Sequence, residues 1–278
     1  MASARVSEQS SHPRLFDDEI AVHLAGERGG ATPNPSLPPY VALATRFVDD
    51  EVLKCVSKVA TPIDKVVYRQ VVLVGDASDT RAYRLPWPTG TCIYHVAGAS
   101  GHRWAAEALS AADLHVKRGC LMRRVEVDLA GGEAGWAEDK LVKQGFQPDK
   151  ESVFAIQGLT ELGVEQDAVD VLLGEIGSVA ALNSVVVGEM PPLDCRADDL
   201  LAQHGLLGWP FAYSDEDLGE LRTWRADWGD GADEYGRRRL LFRATQQFPS
   251  IRQVEIVEAF RSEFGEVDED LDLSDNFS

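Results

Sequence analysis

Long apolar runs are absent from this sequence of 278 residues, and basic residues are scarce. No stretch approaches the roughly 20 apolar residues that a membrane span requires, and the first residues lack the apolar core of a secretory signal. The chain carries 27 basic and 46 acidic residues, a formal net charge of -19. Nucleic acids and anionic membranes attract basic surfaces, so we predict that neither is a partner.

Cysteine is also scarce, and no C-x-x-C pair occurs. The four cysteines are Cys55, Cys92, Cys120 and Cys195. This pattern favours neither a disulfide framework nor a zinc site, and we expect reduced thiols and a cytoplasmic protein. The first residues are Ser-rich with two arginines, which leaves a plastid open.

Two acidic pairs, Asp17–Asp18 and Asp49–Asp50, raise the question of a metal site. Acidic pairs at helix starts usually serve caps and the helix dipole. We therefore predict no metal ligands. A phosphate-binding loop of the form G-x-x-x-x-G-K-[ST] is absent, which disfavours a different nucleotide-like ligand.

From Val66 onward, β-rich apolar runs alternate with amphipathic stretches, which is typical of βαβ units and a mostly parallel sheet. The predicted strands lie in 66–75, 91–98, 123–129, 152–159, 184–190, 208–213 and 237–245. The predicted helices lie in 101–114, 136–146, 165–180, 198–205 and 215–224. Ligands of such doubly wound sheets bind beyond the carboxyl ends of the strands, where strand order reverses.

Two segments lie outside this alternation. Residues 25–40 are rich in Gly and Pro and predict a loop. Residues 251–264 have an amphipathic helical pattern, and the tail after Arg261 carries seven carboxylates and no basic side chain. Charge repulsion predicts that most of this tail is disordered.

The segment "DTRAYRLPWP" resembles the leucine carboxyl methyltransferase-like family of S-adenosylmethionine-dependent O-methyltransferases, whose first strand continues as L-G-A-G-x-D-T-R-A. Four further segments are similar to the family's motifs in the same order. They are "LFDDEIAVHL", "ATRFVDDEV", "VEVDL" and "FAIQGLTELGVEQDAVDVLLGEI". The resemblance spans about residues 14–246.

The resemblance implies an α/β, Rossmann-like class I methyltransferase fold, with a seven-stranded, mostly parallel sheet and an antiparallel last strand. We therefore divide the chain into a helical arm and loop covering the site (1–65) and a methyltransferase-like domain (66–246), and composition adds an amphipathic helix with an acidic tail (247–278).

The resemblance also implies a site for S-adenosylmethionine over the turn at Gly75. The adenine would lie near Asp128 and Leu129, and Arg46 would meet the methionine carboxylate. The remaining positions of the implied cofactor site are Ala77, Asp79, Arg81, His95 and Gln157. No catalytic residue is assigned, since an ionised carboxylate acceptor needs mainly positioning against the cofactor.

Three of these positions depart from the family pattern. Ala77 replaces a glycine where the backbone approaches the cofactor, and Gln157 replaces a glutamate. His95 and Ala97 stand where the family has Y-E-V-D, so the carboxylate that would accept the ribose hydroxyls is missing. A charge-assisted hydrogen bond contributes roughly 1.5 to 3 kcal/mol, and partly additive losses predict affinity of about millimolar.

Two hypotheses follow from the sequence. In the first, the chain is a methyltransferase-fold pseudoenzyme with a degenerate cofactor site, acting as a binding or scaffold module. Its acidic tail, with Leu271, Leu273 and Phe277, would dock into a basic, apolar groove of a protein partner. In the second, the chain is an active O-methyltransferase of a small carboxylate or hydroxyl compound, and His95 replaces the acidic ribose ligand.

Overall fold

The computed structural model describes residues 1–9, 14–25, 40–59, 66–213 and 238–247. Seven strands form one sheet within these ranges. The strands are β1 (Gln70–Gly75), β2 (Cys92–Ala97), β3 (Leu121–Glu126), β4 (Ser152–Gln157), β5 (Val185–Met190), β6 (Leu206–Ala212) and β7 (Leu240–Gln246). Their spatial order is β3-β2-β1-β4-β5-β7-β6.

Strands β1 to β5 pair in parallel, and β7 is antiparallel to both of its neighbours, β5 and β6. The predicted fold class, a mostly parallel seven-stranded sheet with the last strand antiparallel, is therefore confirmed. Strand order reverses between β1 and β4, which lie side by side although β2 and β3 separate them in the chain. In open α/β sheets, ligands bind beyond the carboxyl ends of the strands at this position.

The α-helices of the described residues are α1 (Ala2–Gln9), α2 (Ala21–Ala25), α3 (Tyr40–Val56), α4 (Arg81–Arg84), α5 (Ala99–Ala111), α6 (Gln166–Val179) and α7 (Ala197–Gln203). The single helix predicted at 136–146 is instead a π-helical turn, Ala137–Leu141, followed by a 3-10 turn, Val142–Gln144. Gly145, with φ +92°, ends it. The helices predicted at 215–224 and 251–264, and the acidic tail, lie outside the described residues.

Strands β1, β4 and β5 are buried along their whole length, as expected of strands covered on both faces. Val72 and Val74 of β1 pack in one apolar cluster with α6. Val71 and Leu73 pack in a second cluster with α3. The two helices thus cover opposite faces of the sheet, and the carboxyl ends of β1, β2 and β4 meet at one edge. Among the described helices, none is long and apolar enough to cross a bilayer.

Candidate functional site

The turn after β1 begins at Gly75, whose φ is +133°. A Cβ at this position would lie 1.9 Å from the carbonyl oxygen of Gln157, so only glycine fits between β1 and β4. The amide of Asp76 donates to the same carbonyl at 3.3 Å. Ala77 is 8% exposed, and its methyl faces α5, where a Cβ on Gly101 would lie only 2.7 Å away. The methyl of Ala77 therefore occupies space that Gly101 leaves open.

Arg81, 2% exposed, is the centre of a buried polar network. Its Nε donates to Asp49 at 2.7 Å, its Nη1 to Asp79 at 2.6 Å, and its Nη2 to Oε1 of Gln157 at 2.5 Å. Burial favours a lower pKa for Arg81, but the charges of Asp79 and Asp49 outweigh it and raise the pKa. Burial likewise opposes ionisation of Asp79, but Arg81 holds the pKa of that carboxyl well below its usual range. Arg81 and Asp79 are therefore both charged at neutral pH.

Gln157 connects this network to α3. Its Nε2 donates to Oγ1 of Thr45 at 3.0 Å and to the carbonyl of Val41 at 3.3 Å. Gln157 is 4% exposed, and its Oε1 accepts from Arg81. Both ends of the amide are thus bonded to other groups of the chain.

His95 and His102 meet behind the end of β2. Nε2 of His95 lies 3.2 Å from the carbonyl oxygen of Asp76, and the two imidazole rings pack edge to face with centroids 5.0 Å apart. Burial lowers the pKa of His95, and burial together with His95 lowers the pKa of His102 to about 4. Both rings are neutral at neutral pH. Ala97, the last residue of β2, is fully buried and supplies no carboxylate.

Three predicted site residues bond or pack outside this network. Arg46 donates to Asp50 at 2.7 Å and to the carbonyl of Leu15 at 2.6 Å. Asp128 is exposed and accepts from the amide of Gly131 at 3.0 Å, while Leu129 is part of the apolar core. Asp79, Arg81 and Gln157 belong to the network. Gly75, Ala77 and His95 lie beside it, at the turn after β1.

The sequence interpretation missed the acidic and basic partners of this network. Asp49 and Asp50 lie inside α3, so the helix-start role predicted for that pair is wrong. Asp49 binds both Arg81 and Arg84. Asp18 does cap α2 through the amide of Ala21, as predicted, and also accepts from Thr80 at 2.6 Å. The three-residue spacing of Arg81 and Arg84 on one helix is a signal that could have indicated a shared partner.

One further residue, Arg5 of α1, joins the network at the turn. It is 3% exposed, and its Nη2 donates to the carbonyl and to Oγ of Ser78, the latter at 3.1 Å. Its Nε lies 3.0 Å from Oδ2 of Asp18, an ion-pair contact. Arg5, Arg81 and Arg84 thus face Asp18, Asp49 and Asp79. We call these six residues and Gln157 the β1 network.

A second polar group of five residues lies at the carboxyl ends of β4 and β5. We call it the β5 cluster: Tyr40, Glu161, Glu189, Tyr213 and Arg239. Glu189, 1% exposed, accepts from the amide of Gly158 at 2.9 Å and from the hydroxyl of Tyr213 at 3.1 Å. Arg239 binds Glu161 at 2.7 Å and lies 3.9 Å from the centre of the Tyr40 ring. Burial, together with the charge of Glu161, raises the pKa of Glu189 to about 7.

The strand order and the glycine turn after β1 define a methyltransferase-type α/β fold. Residues 1–177 match the model of the leucine carboxyl methyltransferase family, and the chain belongs to that family. Residue-level similarity extends to curated proteins of plants and bacteria.

One relative is "O-methyltransferase 1, chloroplastic" of Oryza sativa subsp. japonica, 31% identical over 174 residues, covering 63% of this chain and 42% of the relative. A protein of Frankia alni named "Putative S-adenosyl-L-methionine-dependent methyltransferase" is 28% identical over 260 residues, covering 85% of each chain. A protein of Parafrankia sp. with the same descriptive name is 30% identical, and the match covers 56% of this chain and 50% of that protein. The chain therefore spans about half the length of two of these relatives.

Among solved structures, a geranyl diphosphate methyltransferase in complex with SAM aligns with 10% identity and a TM-score of 0.43, covering 85% of this chain and 95% of that one. The CurJ carbon methyltransferase aligns with 12% identity and a TM-score of 0.46, covering 74% and 56%. Scores of this size carry no functional argument, and the fold assignment rests on the strand order.

Proposed function

We propose that this chain is a methyltransferase-fold protein that binds S-adenosylmethionine weakly or not at all and acts as a binding or scaffold module. One observation carries the proposal: the polar side chains at the expected cofactor edge are buried and bonded to one another. Arg81 and Gln157 have their polar groups engaged within the β1 network, and His95 is bonded to the turn. A ligand at this edge would have to replace those contacts, each contributing about 1 kcal/mol or more.

The end of β2 supports the same proposal. A ribose hydroxyl needs an acceptor there, and the residues present are a neutral, 3% exposed imidazole and a buried methyl group. The fit to S-adenosylmethionine is therefore poor at three positions: Ala77, His95 with Ala97, and Gln157. Losing one charge-assisted contact weakens binding by roughly one to two powers of ten.

As a binding module, the chain offers its acidic C-terminal tail, which lies outside the described residues. Leu271, Leu273 and Phe277 are spaced among carboxylates, a composition suited to a basic, apolar groove on a partner protein. Deleting residues 262–278 is expected to remove that partner from a pull-down with the full chain as reference.

An active O-methyltransferase is the second candidate, because the β5 cluster places a buried carboxyl directly beside Gly158, the residue after β4. A hydroxyl acceptor requires a base within hydrogen-bond reach and with a pKa near the working pH. The pKa of Glu189 is about 7, and its carboxyl would have to exchange its bonds to Gly158 and Tyr213 for one to the acceptor. A carboxylate acceptor would need only positioning.

Calorimetric titration with S-adenosylmethionine and S-adenosylhomocysteine separates the two candidates. We expect a Kd of about 1 mM or weaker for the natural chain and tighter binding, by roughly tenfold or more, for the double variant Ala77→Gly with His95→Glu. The control is Arg196→Ala, which replaces an exposed arginine directly before α7. Micromolar binding by the natural chain would contradict the proposal and direct the work to acceptor substrates.

A further inference from the structure

Helix α1 lies across the surface that a ligand of this edge would occupy. Arg5 donates to the carbonyl and hydroxyl oxygens of Ser78 in the turn after β1. At the start of the chain, Cγ of Met1 lies 3.5 Å from the position of a Cβ on Gly158, just beyond the end of β4. The same Cβ position is 3.1 Å from Cβ of Asp76. The arm therefore covers both segments that meet where strand order reverses.

Helix α1 is held in place by charge and by apolar packing, against neighbouring residues of the arm and against α5. Asp18, whose side chain has no exposed surface, lies 3.0 Å from Nε of Arg5. Ala2 packs in an apolar cluster with Leu24, Ala105 and Leu109, and Oε1 of Glu8 accepts from the amide of Leu15 at 2.8 Å. A buried, paired guanidinium is unfavourable to separate from its partners, so the covered state is the stable one.

A ligand and α1 would compete for the same atoms. In sheets of this type, the ligand lies against the backbone of the turn after the first strand. In this chain, Arg5 already binds the turn through Ser78, and Ser78 is in turn bonded to the carboxylate of Asp76. Two occupants of one surface exclude each other, and the apparent Kd of a ligand rises in inverse proportion to the uncovered fraction.

We propose that helix α1 is a competitive cap over the turn after β1, held by Arg5, and that ligand binding at this edge requires its release. The proposal rests on the weak cofactor binding proposed above and adds a second, separable cause for it. The replaced contacts would weaken binding in every conformation, whereas the cap weakens binding only while it is closed.

The test combines two substitutions with two readouts. Arg5→Ala is made in the natural chain and in the Ala77→Gly, His95→Glu background, and each protein is titrated calorimetrically with S-adenosylhomocysteine. We expect Arg5→Ala to tighten binding by about tenfold or more in the restored background. Arg196→Ala, which removes an exposed arginine remote from the turn, is expected to leave the Kd unchanged.

Hydrogen–deuterium exchange provides the second readout and needs no substitution in α1. Saturating S-adenosylhomocysteine is expected to raise exchange in residues 2–9 of the restored protein, because the cap is released. Increased protection of α1 on binding would overturn the proposal. Arg5→Lys keeps the charge but loses the two-pronged contact, so its Kd for S-adenosylhomocysteine should lie between those of the Arg5 protein and Arg5→Ala. This variant replaces Arg5→Ala in the test if Arg5→Ala proves unstable.

The outcomes separate the two proposals. If the restored background binds and Arg5→Ala adds nothing, the cap is wrong and the replaced contacts alone explain weak binding. If Arg5→Ala alone brings the natural chain to micromolar affinity, the cap stands and the degenerate site is wrong. Binding in none of the four proteins would overturn the cap, because no ligand then competes with α1.

Discussion

At the carboxyl ends of β1 and β4, three arginines face three aspartates, whereas at the end of β5 two glutamates lie in the field of a single arginine. In the β1 network, burial is offset by opposite charges, and the pKa of Asp79 is held low. In the β5 cluster, Arg239 binds Glu161 directly, and the pKa of Glu189 rises to about 7. Charge balance thus decides whether a buried carboxyl near this edge is permanently ionised or titrates near neutral pH.

Buried polar side chains have different roles in the two regions. The β1 network joins α1, α3, α4 and the sheet, so its residues stabilise the fold at the place where a ligand is expected. The β5 cluster connects the end of β4 to Tyr213 after β6 through one carboxyl. It remains responsive to pH.

The largest effect is expected from Arg81→Met, which breaks the β1 network. Asp79 loses its main partner and Asp49 keeps only Arg84, so buried carboxylates are left with incomplete compensation. We expect a loss of about 3 to 5 kcal/mol in the free energy of unfolding, measured with urea at pH 7. Arg196→Met, on an exposed arginine, should change it by less than about 0.5 kcal/mol. A loss below about 1 kcal/mol for Arg81→Met would show that the network contributes little.

Gly75→Ala tests whether the glycine of the turn serves the protein itself. The new Cβ would lie 1.9 Å from the carbonyl oxygen of Gln157, and we expect a loss of about 3 kcal/mol, from the clash together with strain at positive φ. Gly90→Ala is the matched control, because its φ is +89° and nothing lies within 4 Å of the added Cβ. That variant should lose about 1 kcal/mol. Equal losses in thermal or urea unfolding would mean that backbone strain alone requires Gly75.

Glu189→Gln sharpens the contrast between the two regions through pH. A glutamate in the unfolded chain has a pKa of about 4.3, and in the folded protein the pKa of Glu189 is about 7. The folded state therefore binds the proton more tightly. The stability from Glu189 is fully present below about pH 4.3 and is lost as pH rises through about 7, by up to about 4 kcal/mol.

The Gln variant lacks this titration. Its stability relative to the natural chain should rise between pH 4.5 and 8, by about 2 kcal/mol after allowance for Arg239 and Glu161 near Glu189. Urea unfolding at four pH values measures the difference, with Glu107→Gln on the exposed side of α5 as control. Parallel pH profiles for Glu189→Gln and the natural chain would contradict the assignment.

Much of the fold could be predicted from the sequence, because strands buried on both faces are continuous apolar runs such as "VVLVG" and "SVVVGEM". The bounds are less accurate: β1 begins at Gln70, not Val66. The motifs also indicated which residues gather at the edge. Their partners could not be predicted, since Arg5 and Ser78 are 73 residues apart and Gln157 and Thr45 are 112 apart.

The sequence by itself determined the alternation of strands and helices, the glycine after β1, and the absence of a carboxylate at the end of β2. These are local properties, which residue type and spacing are enough to predict. Only the tertiary structure decided that Asp49 binds Arg81 from the middle of α3, that Arg5 lies on the turn, and that Arg239 binds Glu161 while Glu189 lies nearby. Side chains distant in the chain become neighbours only when the sheet assembles, and their pKa values follow from that packing.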